Sequence, residues 1–476
     1  MLERINLTML TDFYELTMAN GYFEEGFKDR VAYFDMFFRK IPDNGGFAIM
    51  AGLEQLIGYL RDLHFDEGDI GYLRSKGIFS EDFLDYLKDF KFSCDVWAVP
   101  EGTPIFPGEP ILTVRGPVIQ AQFIETMTLV CINHQSLIAT KANRVVRAAK
   151  GRDVMEFGTR RAHGAHGAVY GARAAYIGGC VGTACTMAEI DFKVPAMGTM
   201  AHSWIQMFPS EYEAFKAYAQ LYPENTVLLV DTYNTLKSGV PNAIKAFREI
   251  RPHKMGIRID SGDITYLSKN ARAMLDEAGL HDCRIVASNS LDEFIIQDLI
   301  VQGACVDVFG VGERLITSRS EPVFGGVYKL AAIEENGEIV SKIKISDNIE
   351  KITNPGFKKL FRLYDNKTGK AIADVITLAD EEIPVDQDYE LFDPGFVWKR
   401  KTATNFYARK LQERIFKRGE CVYTSPSAEE IRRYCAEEVG TLWDEMLRFE
   451  NPHEYYVDLS KTLWELKDKL IREFRY

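Results

Sequence analysis

"TVLLVDTYNTLKSGVPNAIKAFREIRPHKMGIRIDSGD" (226–263) contains the unit from which the fold can be read. An apolar run ends on Asp231, a longer helix-like stretch follows, and a second apolar run ends on Arg258, Ile259 and Asp260. Apolar runs of this length, separated by helical stretches, predict parallel strands in βαβ units whose two faces are both covered. The same pattern fills the chain from 153 to 315, in "DVMEFGT", "AAYIGGCVGTA", "KVPAMGTMA", "CRIVASNS" and "VDVFGVG". Seven such runs predict an α/β protein with an irregular (β/α) barrel; a doubly wound open sheet is the alternative.

Barrel enzymes carry their chemistry where the strands' carboxyl ends converge. In this chain the polar and glycine residues fall at those ends. Phe157 with Arg160, Thr183, His202, Asp231, Arg258 with Asp260, Ser288 with Asn289, and Gly310 with Gly312 each follow a different run. On this reading His202, in "GTMAHSWIQMFP" (198–209), terminates a strand like the other six. Its immediate surroundings also suit a satisfied core side chain.

The flanks differ in character. "RVAYFDMFFRK" reads as a strand, "GGFAIMAGLEQLIGYL" as a strand and helix opening after a glycine pair, and "CDVWAVPEGTPIFPGEPILTVRG" as short strands punctuated by Pro and Gly. Residues 117–149 form a long helical pattern with Pro117 at its start. After the barrel, Asn336-Gly337 between alternating runs predicts a hairpin. The organisation expected is an α/β sandwich domain from 1–130 and 325–395, a barrel over 131–324 and a charged helical region over 396–476.

Composition bounds the rest. The 476 residues are 46% hydrophobic and 26% charged, which is ordinary for a folded globular protein. A net charge of −12, with Lys and Arg scattered, speaks against a nucleic-acid partner. The amino terminus lacks the basic-then-apolar order of a signal peptide, and no run reaches membrane-spanning length. The eight cysteines contain no C-x-x-C pair, so free thiols in a reducing cytoplasm are expected. His163 and His166 are three apart, but no acidic or cysteine third metal ligand lies nearby.

Three segments suggest chemistry. "RIDSGD" (258–263) sets an arginine beside two carboxylates, which can hold ribose hydroxyls or magnesium through water near Asp260 and Asp263; the plainer reading is a turn whose Asp260 caps the next helix. "FGVGERL" (309–315) offers backbone N–H groups to a phosphate, or is only a tight turn. In "EFGTRRAHG", Phe157 and Arg160 can sandwich a flat heteroaromatic ring, or be a core ring and a surface cation. Taken together they describe a phosphoribosyl transfer pocket. Walker A and G-x-G-x-x-G sequences are both absent from the chain.

"TDFYELTMANGYF", "EFGTRRAHG", "GTMAHSWIQ", "RIDSGD" and "FGVGERLITS", in this order and spacing, closely resemble the nicotinate phosphoribosyltransferase family from about residue 8 to 380. The resemblance implies a type II phosphoribosyltransferase fold and a cytoplasmic homodimer with shared active sites. It implies a ligase-class reaction of NAD salvage: nicotinate and phosphoribosyl pyrophosphate give nicotinate mononucleotide and pyrophosphate, with magnesium present and ATP hydrolysis coupled. His202 would be the histidine phosphorylated by ATP, and Asp231 the carboxylate that orients its ring. Phe157 and Arg160 would stack on the pyridine, with Tyr14 added by the partner subunit. Asp260 would contact the ribose with Arg258 beside it, and Gly310 and Gly312 would form the phosphate turn; Thr183, Ala184, Ser288 and Asn289 complete the expected substrate-binding set. Arg39, in "FFRKIP", resembles a basic residue that reaches a phosphate from the partner. Nicotinamide-using relatives are expected to carry an acid where this chain has Ala184. Two further alternatives fit less well: a sensor needs neither His202 nor Asp231, and an aldolase needs a strand-end Schiff-base lysine, which is missing.

Overall fold

In the computed structural model of the chain, residues 6–348, 351–392 and 398–474 are described. They divide into two compact units. One comprises 137–322 with 427–433, and the other comprises 1–136, 323–426 and 434–476.

The 137–322 unit is built on the six-stranded sheet that the repeated apolar runs predict. The strand order is Gly182–Thr183, Asp153–Glu156, Val308–Val311, Arg284–Ala287, Met255–Ile259, Thr226–Leu229. Every neighbouring pair is parallel. The sheet is a half-barrel with helices, mixed α/β in class as expected. The helices alternate with the strands for local reasons. Ile264–Glu277 opens on Asp263, whose side chain accepts the Tyr266 N–H at 3.0 Å, and it buries Ile264, Ser268, Ala271 and Leu275 along one stripe. Val240–Ile250 buries Val240, Ala243, Ala246 and Phe247 at the same helical spacing. Burying a side chain such as Phe247 contributes about 1.5–3 kcal/mol. That gain drives the crossover onto the sheet.

Two of the seven runs differ from the expectation. "AAYI" is not strand but the last turn of the helix Gly164–Ile177, leaving only Gly182–Thr183 to pair. "KVPAMGTMA" contributes a single bridge, Ala196 to Thr183. His202 therefore does not end a strand; it opens the short helix His202–Gln206. Short apolar runs rich in Ala and Gly carry no period that separates strand from helix.

The other unit holds a seven-stranded antiparallel sheet, in the order Glu338–Ser341, Gly326–Glu335, Val31–Phe38, Leu112–Pro117, Asp95–Ala98, Glu413–Lys417, Glu420–Cys421. The Asn336-Gly337 hairpin forms, with φ of 52° and 83° at the two turn residues, the left-handed pair that such turns require. A four-stranded sheet, Phe406–Lys410, Lys358–Asp365, Ala371–Leu378 and Val457–Leu459, packs its own apolar cluster around Leu363, Val375 and Phe406. The tail is thus not simply helical. Five strands, from Arg400–Ala403 to Val457–Leu459, accompany the helices Ala428–Gly440 and Lys461–Glu473. The expected boundary at 395/396 lies outside the described residues. No helix among the described residues is long and apolar enough to cross a membrane.

Candidate active site

Because all six strands are parallel, their carboxyl ends share one edge, and hydrogen bonds link those ends in two groups. At one side Thr183 Oγ1 donates to Glu156 Oε2 at 2.6 Å, and the Ala184 N–H donates to the Glu156 carbonyl at 2.8 Å. The Phe157 N–H donates to the Val311 carbonyl at 2.7 Å. Farther along, Ser288 Oγ donates to Asp260 Oδ1, and the Asp260 N–H donates to Asp231 Oδ2 at 2.9 Å. Ser261 Oγ adds a second donor to that oxygen at 2.6 Å. Asp231 Oδ1 is buried and takes no hydrogen bond among the described residues.

Beside this chain lie two guanidinium groups. Arg258, in the strand Met255–Ile259, donates to Thr199 Oγ1 at 2.5 Å and so ties "RIDSGD" to "GTMAHSWIQ". Burial pushes its pKa down; Asp260 and Asp231 oppose the shift, and the nearby charge of Arg160 adds to it. Neither Arg258 nor the exposed Arg160 forms a salt bridge among the described residues. Two neighbouring cations without a paired carboxylate favour an anionic ligand.

The glycines act differently from the expectation. Gly310 is not in a turn but inside the strand Val308–Val311, where an added Cβ would lie 2.5 Å from the Phe157 ring. Its lack of a side chain lets that ring lie against the strand, half-exposed at the edge. Gly312 follows the strand and starts the four-residue helix Glu313–Ile316. Asn289 holds φ of 95°, a conformation that costs a non-glycine residue on the order of 1–3 kcal/mol and is typical of functional loops.

His202 is half-buried, and its Nδ1 lies 3.1 Å from Thr232 Oγ1. The ring contact expected of Asp231 is therefore made by the next residue, while Asp231 holds the Asp260 loop. Asp260 does not cap the following helix; Asp263 does. Among the described residues no three His, Cys, Asp or Glu side chains gather as a metal cage. Asp260 at the strand end instead suits a magnesium ion that keeps most of its waters and arrives on phosphate.

Glu156 was missed from sequence. Its carboxylate is fully buried, accepting from the Gly158 N–H and from Thr183, and burial pushes its pKa up while those hydrogen bonds oppose the shift. The signal available was a carboxylate closing the apolar run "DVME" directly before Phe157. Tyr14 lies in the other unit, on the helix Phe13–Glu24, with 45% of its surface exposed. Arg39 follows the strand Val31–Phe38 there, over the Phe37 ring.

Family models match along the chain: the nicotinate phosphoribosyltransferase N-terminal domain over 9–133, the family itself over 153–373 and its C-terminal domain over 357–467. The chain belongs to the nicotinate phosphoribosyltransferase family. A nicotinate phosphoribosyltransferase of Bacillus subtilis is 43% identical over 99% of this chain and 96% of its own. The human enzyme of that name is 31% identical over 97% and 96%. A crystal structure of human nicotinic acid phosphoribosyltransferase superposes with a TM-score of 0.85 at 29% identity, covering 97% of this chain and 100% of that one. The family's nicotinate phosphoribosyltransferase fold is therefore the fold of this chain.

Proposed function

We propose that the protein joins nicotinate to phosphoribosyl pyrophosphate, releasing nicotinate mononucleotide and pyrophosphate in NAD salvage, with ATP hydrolysis coupled to it. The observation that carries this reading is the linked edge Asp231, Asp260 and Ser288 beside Arg258, Arg160 and the Phe157 ring. Phe157 offers a flat apolar face to the pyridine. Arg160 or Arg258 neutralises the substrate's carboxylate and phosphates, and the Asp260 carboxylate stabilises positive charge growing on the ribose as the C1–O bond to pyrophosphate breaks. Magnesium, carried on the phosphates, would neutralise the leaving group. Product analysis by mass spectrometry, with nicotinate, phosphoribosyl pyrophosphate and magnesium, tests the reaction. Absence of nicotinate mononucleotide both with and without ATP refutes it.

ATP coupling is assigned to His202. With the proton on Nδ1 and donated to Thr232 Oγ1, the Nε2 lone pair is available to attack the γ-phosphorus while the bond to ADP breaks. Incubation with γ-labelled ATP is expected to give an acid-labile, base-stable label that is lost in His202→Ala. A label that survives the substitution, or no label in the parent, excludes the role. Because this step couples ATP rather than transferring ribose, His202→Ala keeps uncoupled ribosyl transfer.

The carboxylate preference is assigned to Ala184, which is exposed at the edge beside Thr183. An acid there would repel nicotinate by about 4 kcal/mol at 4 Å and an effective dielectric of 20, and would accept a hydrogen bond from the amide of nicotinamide. Ala184→Asp is therefore expected to move the ratio of kcat/KM values toward nicotinamide. An unmoved ratio in a folded variant places selectivity elsewhere.

The active form is proposed to be a homodimer with shared sites. Leu10, Phe13, Tyr14 and Met18 expose 48%, 46%, 45% and 37% of their surfaces along one amino-terminal stretch, an apolar face of the kind that partners cover. Mixed subunits bearing Tyr14→Ala and Asp260→Ala should regain part of the activity, since one of the two sites is then intact. Heterodimers without recovered activity would place Tyr14 outside a shared site.

A further inference from the structure

One carboxylate at the strand edge has no part in the proposed reaction. Glu156 closes the strand Asp153–Glu156, is fully buried and forms no ion pair among the described residues. A buried carboxylate without a cation is costly, and an apolar side chain of similar size would pack there more cheaply. Its presence calls for a local reason, which its two oxygens supply.

Each oxygen holds a different turn. Oε1 accepts from the Gly158 N–H, and Oε2 accepts from Thr183 Oγ1 at 2.6 Å. The Gly158 carbonyl accepts the Arg161 N–H at 2.7 Å, so the first contact fixes the turn that carries the Phe157 ring and Arg160. Thr183 Oγ1 in turn accepts from the Cys185 N–H at 3.0 Å, so the second contact fixes the turn that carries Ala184. Both turns start from paired residues, because Glu156 lies opposite Thr183 in the parallel ladder, and Phe157 and Ala184 leave the sheet side by side. Packing gives the first turn no slack. A Cβ on Gly158 would lie 2.7 Å from Glu156 Oε1 and 2.5 Å from the Ile316 Cβ, so the glycine backbone is held between that carboxylate and the Ile316 side chain.

We propose that Glu156 is a positioning residue for the pyridine substrate: it fixes the 157–160 turn against the Ala184 turn, and so sets the spacing of stacking ring, guanidinium and selectivity position without touching nicotinate itself. The role rests on the assignment of nicotinate to that edge. Phe157, Arg160 and Ala184 would meet the pyridine in the ground state as well as in the transition state, so misplacing them weakens nicotinate binding more than it slows the chemical step. The phosphoribosyl side depends on Asp231, Asp260 and Ser288, whose hydrogen bonds do not pass through Glu156.

The full-length parent, Glu156→Ala and Glu156→Gln are compared in two measurements. Glutamine keeps an oxygen for the Gly158 N–H and turns its NH2 toward Thr183 Oγ1, which can accept it, so it rebuilds the bridge without the charge. In steady-state kinetics Glu156→Ala is expected to raise KM for nicotinate roughly 10- to 100-fold, the scale of an ångström-sized misplacement, with kcat and the KM for phosphoribosyl pyrophosphate little changed. Glu156→Gln should stay close to the parent. In amide hydrogen exchange Glu156→Ala should speed exchange in 157–161 and 183–185 while the strand Thr226–Leu229 is unchanged. An unmoved nicotinate KM, equal rises in both KM values, a glutamine variant as weak as alanine, or faster exchange across the whole unit each overturns the proposal. If Glu156→Ala does not fold, Glu156→Asp, one methylene too short to reach both donors, carries the same comparison. A parent that makes no nicotinate mononucleotide refutes the reaction and the role together, and exchange then reports only on the bridge. A parent that makes it, with variants that keep the nicotinate KM, refutes the positioning role alone.

Discussion

Replacing Asp260 by alanine is expected to lower kcat/KM by about 10²- to 10³-fold, the scale seen when one preorganised electrostatic partner of a transition state is removed. The loss should fall mainly on kcat, because in the proposed reaction the charge that Asp260 would stabilise develops on the ribose only as the bond to pyrophosphate breaks. The fold should survive. The link from Asp260 to Asp231 uses the backbone N–H, which alanine retains, and the next helix is capped by Asp263. Only the Ser288 contact is lost. Asp260→Asn separates charge from shape: it keeps an acceptor for Ser288 while removing the negative charge, so it should fall nearly as far as alanine. Steady-state kinetics with circular dichroism as the folding control decide it. A loss under tenfold in both variants, or a rise in KM alone, would make Asp260 a ground-state contact without a part in the chemical step.

The largest effect on stability is expected at Arg362. Its side chain is fully buried, and it forms a two-point pair with Asp374, Nε to Oδ1 at 2.8 Å and a terminal nitrogen to Oδ2 at 2.6 Å. It also donates to the Pro104 carbonyl at 2.8 Å and lies 5.3 Å from the Phe106 ring centroid. Glu109, buried beside them, has its pKa raised well above the ordinary range, by burial first and then by Asp374, with Arg362 opposing. Arg362→Met therefore strands two acidic groups together without a cation. Removing one partner of a buried pair costs about 3–5 kcal/mol, which at about 2–4 °C per kcal/mol for a unit of this size corresponds to a Tm lower by roughly 10 °C. Arg74→Ala is the contrast. Its pair with Glu81 is also two-point but leaves the side chains 45% and 62% exposed, where water screens the charges, so the loss should be small beside that of Arg362→Met. Replacing Arg362 and Asp374 together by apolar residues should recover part of the loss. Equal stability of Arg362→Met and the parent in thermal and urea unfolding would contradict the account.

The parallel sheet was legible in the sequence because strands covered on both faces must be apolar along their whole length, and a polar residue at the end of each run then marks the edge where a ligand can sit. That logic found Asp231, Asp260, Ser288, Thr183 and Phe157 without any knowledge of which strand neighbours which. It failed where the signal depends on period: "AAYI" is equally apolar as helix or strand, and it is helix. It failed again in the tail, where Glu413–Lys417 is short and highly charged and is held as a strand by Asp95–Ala98 far away in sequence; Arg414 and Asp95, which pair at 2.7 Å, are 319 positions apart. No local pattern encodes such a partner.

What the sequence determined by itself was therefore the class of fold, the family and the inventory of groups at the strand ends, since each follows from burial along a run or from motifs contiguous in the chain. What only the tertiary structure decided was which groups touch. It gave the His202 ring to Thr232 and left Asp231 to brace the Asp260 loop, set the Phe157 ring against Gly310, and buried Glu156 where its carboxylate accepts from Gly158 and Thr183. Hydrogen bonds are settled by distances of a few tenths of an ångström and by competition among neighbouring acceptors, quantities fixed by packing across the sheet and unconstrained by spacing along the chain.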